Sequence, residues 1–187
     1  KERTAIERCA MPELEPAYRA TKLREEVNTG FTKEMALVEA QRCLDCPKPA
    51  CMEGCPVSIN IPSFVKNIER GEFIKAAQVL KMTSSLPAVC GRVCPQEKQC
   101  ESQCIHLKMG HKAVAIGGLE RFAADYARES GEMPAPQVAA SNGKKIAVVG
   151  SGPAGLSFAG DMAKLGYAVT VYEALHEIGG VLKYGIP

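Results

Sequence analysis

Arg42-Cys-Leu-Asp-Cys-Pro-Lys-Pro-Ala-Cys-Met-Glu-Gly-Cys-Pro56 sets four cysteines at the spacing Cys43-x2-Cys46-x4-Cys51-x3-Cys55, closed by a proline. A second group follows, Cys90-x3-Cys94-Pro95-x4-Cys100-x3-Cys104, with its own Cys-Pro step. Such close spacing lets one loop gather several thiols at little entropic cost. The chain has 187 residues and nine cysteines; the ninth, Cys9, stands apart in a charged segment and reads as a lone packed thiol.

Disulfides are the default for a cysteine-rich secreted chain, and metal or redox chemistry for an internal one. The charged start, Lys1 to Met11, lacks a cleavable apolar segment, so no secretory signal is expected, and the absence of an initiator Met reads as processing or trimming. Two zinc sites would also consume eight thiolates. Structural zinc takes short pairs from two loops, whereas three or four cysteines crowd each loop here. The first group is similar to the bacterial ferredoxin run C-x2-C-x2-C-x3-C-P, with a longer middle gap, and the spacing favours iron–sulfur over zinc.

The cysteine zone, residues 1–130, reads as helical with loops between. Thr32 caps a helix from about Lys33 to Arg42 that delivers Cys43. Pro62 suits the first turn of a second, with Ile61, Phe64, Val65 and Ile68 on one face and Gly71 as its stop. A third uses Phe73, Ile74, Ala77 and Leu80, and a fourth runs from about Ile116 to Arg128 with Leu119, Phe122, Ala123 and Tyr126 inward. These stripes read as core. Glu120 on the fourth helix has only Ile116, Gly117, Ala123 and Ala124 at its helical neighbour positions, so it has no local ion-pair partner. From the residues alone it reads as a surface glutamate, with a tertiary Arg or an iron as alternatives.

Residues 131–144 are rich in turn formers and read as a linker. Lys145-Ile-Ala-Val-Val-Gly150 then reads as a buried parallel strand. It enters the turn Gly150-Ser151-Gly152-Pro153-Ala154-Gly155 and a helix that Gly166 can stop, followed by the strand Ala168–Tyr172 and Glu173. The three glycines serve the tight turn, the backbone approach to a pyrophosphate and the close helix packing of a dinucleotide-binding fold. Phosphates meet the helix N-terminus, where free N–H groups and the dipole favour an anion. Glu173 follows by about the twenty residues that place an acid on the ribose hydroxyls. A carboxylate there opposes a ribose 2′-phosphate, leaving FAD or NAD. One βαβ half-unit cannot cover both faces of a parallel sheet, so residues 145–187 read as the opening of a longer protein.

A net charge of +2 with no long single-sign run suggests neither nucleic acid nor a membrane surface as partner. The apolar stretches are too short to span a bilayer. His106, His111 and His176 show no ligand spacing.

The stretch Arg42–Pro62 resembles the glutamate synthase small-subunit family, as do Cys90-Gly-Arg-Val-Cys-Pro95, Ile116-Gly-Gly-Leu-Glu-Arg-Phe122, Val149-Gly-Ser-Gly-Pro-Ala-Gly-Leu156 and Gly179-Gly-Val-Leu-Lys-Tyr-Gly-Ile-Pro187. The module also occurs in dihydropyrimidine dehydrogenase and in NADH-dependent ferredoxin:NADP oxidoreductase. The resemblance implies an α-helical ferredoxin-like domain with two [4Fe–4S] clusters, then the start of an α/β Rossmann-type FAD-binding domain. It implies one cluster on Cys43, Cys46, Cys51 and Cys104, and another on Cys55, Cys94, Cys100 and Glu120, with Cys90 unbound. Gly179, Gly180 and Val181 would lie against FAD. The implied role is an NADPH-dependent oxidoreductase subunit, cytoplasmic, with NADPH bound in a C-terminal part not included here. Electrons would pass from FAD through the clusters to a partner flavoprotein such as the glutamate synthase large subunit, and the fragment would not turn over NADPH by itself. The alternatives are a related oxidoreductase acting on ferredoxin, sulfide or pyrimidines, or a zinc-stapled interaction module.

Overall fold

The computed structural model describes residues 2–186. The chain divides into two units: residues up to Leu23 together with Val27–Met133, and Arg24–Glu26 together with Pro134 onward.

The first unit is helical. Its five longest helices are α1 (Lys33–Gln41), α2 (Ile61–Glu69), α3 (Phe73–Lys81), α4 (Pro87–Val93) and α5 (Ile116–Ser130). Local chemistry sets their ends. Thr32 Oγ1 accepts the Met35 N–H at 3.2 Å to open α1, and Asn60 Oδ1 accepts the Ser63 N–H at 3.2 Å to open α2. Gly131, left-handed at φ +68°, closes α5 two residues beyond the expected end. Phe64, Val65, Ile68, Leu80, Leu119 and Ala123 are fully enclosed in one core. Phe73 meets the edges of Phe122 and Tyr126, with centroids 5.0 and 4.9 Å away.

Helix α4 is absent from the sequence expectation, and the reason is visible in its packing. It contains Gly91 and the β-branched Val89 and Val93, which weaken local propensity, and it forms against α5. A side chain at Gly91 would strike the Arg121 backbone, its Cβ 2.6 Å from the amide nitrogen. Arg92 locks the crossing with two hydrogen bonds to Asp125, at 3.1 and 2.6 Å.

A buried ion pair joins the remaining pieces. Glu39 and Arg42, 0% and 1% exposed, meet at 2.7 Å. Arg42 also donates to the carbonyls of Ile6, Lys112 and Ala113, while Glu39 accepts the N–H groups of Cys9 and Ala115. The N-terminal segment, α1 and the entry to α5 therefore meet on one charge pair.

The second unit contains β1 (Lys145–Val149), α6 (Pro153–Lys164), β2 (Ala168–Tyr172) and the short α7 (Val181–Tyr184). The two strands pair in parallel, Lys145 opposite Ala168 and Val149 opposite Tyr172. The expectation of a buried first strand needs correction: Val149 is 90% exposed, because the sheet has two strands and α6 covers part of it. The segment read as a linker is partly built into this unit. Ala139 N–H donates to the Lys164 carbonyl at 2.8 Å and Asn142 N–H to the Gly166 carbonyl at 3.1 Å. Among the described residues no helix is long and apolar enough to cross a membrane.

Removing the Arg42 charge by Arg42→Met should lower unfolding free energy by about 3–5 kcal/mol in urea titrations, because Glu39 would stay buried without its cation. Gly91→Ala should cost about 1–3 kcal/mol by overpacking the α4–α5 crossing. Gly160→Ala, which meets nothing within 4 Å on α6, should be neutral or mildly stabilising in the same assay.

Candidate cluster and dinucleotide sites

The end of α1 is built to present Cys43. Its last carbonyls are taken by cationic or ring donors: Gln41 O by Arg3 at 2.8 Å, Arg42 O by His106 Nε2 at 2.8 Å and Cys43 O by Lys66 at 2.9 Å. Because it faces a carbonyl, His106 Nε2 carries the proton. Asp45 then adopts a left-handed turn at φ +51°, a conformation that Asp tolerates better than most residues. The chain thereby doubles back, and Cys43 and Cys46 line one cavity with Cys51 and Cys104. This cavity measures about 460 Å³, and Leu44, Ile61, Val65, Val114 and Ile116 supply apolar wall. Burial first, then the neighbouring Cys43, Cys104 and Cys46, push the Cys51 thiol up to about 12.

Cys55, Cys94, Cys100 and Glu120 form a second neighbourhood with Cys90 beside them. Burial pushes Cys94 and Cys100 up to about 12, and both also feel Cys55 and Glu120. Glu120 is not the surface residue that its local pattern suggests. It is 6% exposed, its Oε1 has no hydrogen-bond partner among the described residues, and burial pushes it up to about 7. Cys90, Cys94 and Cys100 all feel its charge, so the carboxylate lies near the thiols of α4 and the following loop.

Both neighbourhoods suit iron–sulfur clusters in their chemistry. The Cys51, Cys94 and Cys100 thiols resist ionisation on their own, and metal coordination removes such protons outright. An unpartnered buried carboxylate is costly until it finds a cation. Among the described residues no three His, Cys, Asp or Glu side chains converge closely enough to hold one ion together. Cys9 lies outside both sets, its N–H on Glu39.

In the second unit, Gly150 turns at φ +95° and Gly152 opens α6 with Pro153 in its first turn. Gly155 is obligatory: a Cβ there would lie 2.1 Å from the Gly150 carbonyl oxygen. The first-turn backbone from Gly152 to Gly155 leaves the helix N-terminus free for an anion. Ser151 behaves differently from the expected cofactor contact. It is fully buried, donates its hydroxyl and its N–H to Glu173 Oε2, and accepts the Gly179 N–H at 2.9 Å. Leu175 N–H donates to Glu173 Oε1 at 2.9 Å. These donors, the Ser151 hydroxyl foremost, hold Glu173 down at about 2. Gly180 packs on Gly152, and Val181 follows it into α7.

Sequence reasoning missed Glu39, Arg42, His106 and Ser84. Only the first two left a signal: charges three residues apart on the same face of α1 as the buried Ala36 and Ala40.

A family model described as dihydropyrimidine dehydrogenase domain II, 4Fe–4S cluster, matches residues 19–132. The chain belongs to that family. The first unit is thus its 4Fe–4S domain, and a second model, an NAD(P)-binding Rossmann-like domain, matches residues 148–184. The chain is 37% identical to the glutamate synthase [NADPH] small chain of Azospirillum brasilense, over 95% of this chain and 37% of that one. It is 41% identical to the putative oxidoreductase UacF of Escherichia coli, over 87% of this chain and 25% of that one. It is 37% identical to the NAD-dependent dihydropyrimidine dehydrogenase subunit PreT of Escherichia coli, over 87% of this chain and 39% of that one. The chain therefore spans between a quarter and two-fifths of the length of these curated relatives.

Glu173 contributes to stability in its ionised form. Its folded pKa is depressed, so the contribution is complete above the ordinary 4.5 and lost as pH falls toward about 2. Carboxyl-carbon NMR should find Glu173 still ionised at about pH 3.5, and Ser151→Ala should move its midpoint back toward 4.5.

Proposed function

We propose that this chain is the electron-transfer part of an NADPH-dependent oxidoreductase, linking FAD to a partner flavoprotein through two [4Fe–4S] clusters. The observation that carries the reading is the pair of separate cysteine neighbourhoods, one completed by an orphaned buried carboxylate, in a chain that also carries a phosphate-binding turn. Cys43, Cys46, Cys51 and Cys104 would hold one cluster; Cys55, Cys94, Cys100 and Glu120 would hold the other. When bound, the clusters supply one-electron transfer and FAD converts a two-electron donor into single electrons. Leu44, Val65 and Ile116, which line the first cavity, would keep water from a cluster held there. Gly150 to Gly155 and the α6 N-terminus would receive the pyrophosphate, with Glu173 accepting a ribose hydroxyl and Gly179, Gly180 and Val181 flanking the cofactor. The NADPH site is assigned to the remainder of the protein, and the compartment to the cytoplasm.

The small-chain relatives support glutamate synthase, with L-glutamate formed from L-glutamine and 2-oxoglutarate on a large-subunit partner. Comparable identity to UacF and PreT favours a second reading, the same conduit serving another acceptor.

The intact protein, purified anaerobically, should carry about eight irons and eight sulfides per chain with a broad band near ~400 nm, together with FAD. Two zincs and no sulfide would leave only the interaction-module alternative standing. Glu120→Ala should disturb the electron paramagnetic resonance (EPR) signal of one cluster and spare the other, and Glu120→Gln should keep both. An unchanged spectrum in Glu120→Ala would make Cys90 the eighth ligand. Mixing with a purified large subunit, and assaying NADPH-dependent glutamate formation, separates the two acceptor readings.

A further inference from the structure

Residues 2–10 reach the first cysteine neighbourhood from outside. They lie ahead of residues 19–132, the stretch matched by the 4Fe–4S domain model, and among the described residues none of them lines the first cavity. Their contacts nevertheless run to the elements that carry the cavity's cysteines. Arg3, on the single helical turn Glu2–Ala5, donates from Nη1 to the Gln41 carbonyl at 2.8 Å and to the Cys43 carbonyl at 3.4 Å. Its Nη2 donates to Glu69 Oε1 at 2.7 Å. The Ile6 carbonyl accepts from Arg42 Nε at 3.0 Å, and the Cys9 N–H donates to Glu39 Oε2 at 2.7 Å. Arg8 pairs at 2.7 Å with Glu101, on the loop that leads to Cys104.

The end of α1 needs such support. The helix has nine residues, and a short helix frays from its ends, where the last carbonyls have no partner within the helix. Cys43 follows almost directly, so a frayed last turn carries its sulfur away from Cys46, Cys51 and Cys104. A cation at this end meets the negative pole of the helix dipole, and Glu69 fixes the cation there. Glu69 also pairs at 2.7 Å with Lys66, whose Nζ holds the Cys43 carbonyl at 2.9 Å. One carboxylate on α2 thus clamps two cations onto the carbonyls either side of Arg42. We propose that residues 2–10 form a strap behind the first cluster with Arg3 as its latch, a positioning residue that slows loss of the cluster held by Cys43, Cys46, Cys51 and Cys104. The inference rests on that ligand assignment. A cluster leaves through local opening of the chain that carries its ligands, and contacts that hold the chain closed make that opening rarer.

The test uses the intact protein, purified anaerobically, as Arg3→Ala, Arg3→Lys and Glu69→Gln. Arg19→Ala is the control, since its pair with Glu13 at 2.8 Å is exposed and touches neither cysteine neighbourhood. Iron is captured with bathophenanthroline disulfonate and followed by absorbance. Samples drawn during release are reduced with dithionite and read by EPR, so that the loss of each cluster is timed separately; the second cluster is the one perturbed in Glu120→Ala. Arg3→Ala should lose the first cluster about three- to tenfold faster than the parent, the worth of a charged hydrogen bond at a part-exposed site, while the second keeps the parent rate. Arg3→Lys, which keeps the cation with fewer donors, should fall between. Glu69→Gln unclamps Arg3 and Lys66 together and should be at least as fast as Arg3→Ala; it carries the test if Arg3→Ala does not fold. Arg19→Ala should match the parent. Parent rates in both Arg3→Ala and Glu69→Gln would overturn the inference, and so would equal acceleration of both clusters, which marks a general loosening of the unit. A parent protein without two clusters would instead sink the ligand assignment beneath it, so the two failures are told apart by the parent sample.

Discussion

The first unit hangs on the buried pair of Glu39 and Arg42. Neither charge is compensated by water, so each must be satisfied by protein, and the partners come from distant segments: Ile6 and Cys9, then Lys112, Ala113 and Ala115. Replacing such a pair with apolar residues is often harmless, whereas removing one member is severe. Its contribution is thus one of placement. Arg42 immediately precedes Cys43, and its own carbonyl accepts from His106, two residues after Cys104. One side chain and one carbonyl thereby fix the distance between the α1 terminus and the loop that closes the first cavity.

What could be read from the sequence follows from what is local. The Thr32 cap, Pro62 in a first turn and the apolar face of Ile61, Phe64, Val65 and Ile68 are decided within a few residues, and α1, α2, α3 and α5 lie where these signals put them. The strand, glycine turn, helix and strand of the second unit were legible for the same reason. Helix α4 was not, because its stability lies in the fit of Gly91 against Arg121 across the unit. Glu120 was ambiguous for a related reason: a list of helical neighbours shows that no partner is near, but not whether water is. The orientation of Ser151 was likewise hidden, since the partner that turns it inward, Glu173, arrives only when β2 pairs with β1.

The two units manage negative charge by opposite means. Around the cysteines, burial raises the proton affinity of Cys43, Cys51, Cys94 and Cys100, so these thiols hold their protons until a metal claims them. In the Rossmann unit, hydrogen bonds from Ser151 and Leu175 keep Glu173 ionised, and the α6 N-terminus favours anions. A phosphate brought beside Glu173 would meet a charge that does not protonate in the physiological range.

Cys51 lies in the short helix Ala50–Glu53 and Cys55 just beyond its end, yet their thiols face different neighbourhoods. Cys104, from the second sequence group, turns back to the first. The chain is laced like a figure of eight, and any cut between Cys55 and Cys104 divides both neighbourhoods. A break within that stretch would therefore undo both neighbourhoods at once, so the two share one length of chain that neither can spare.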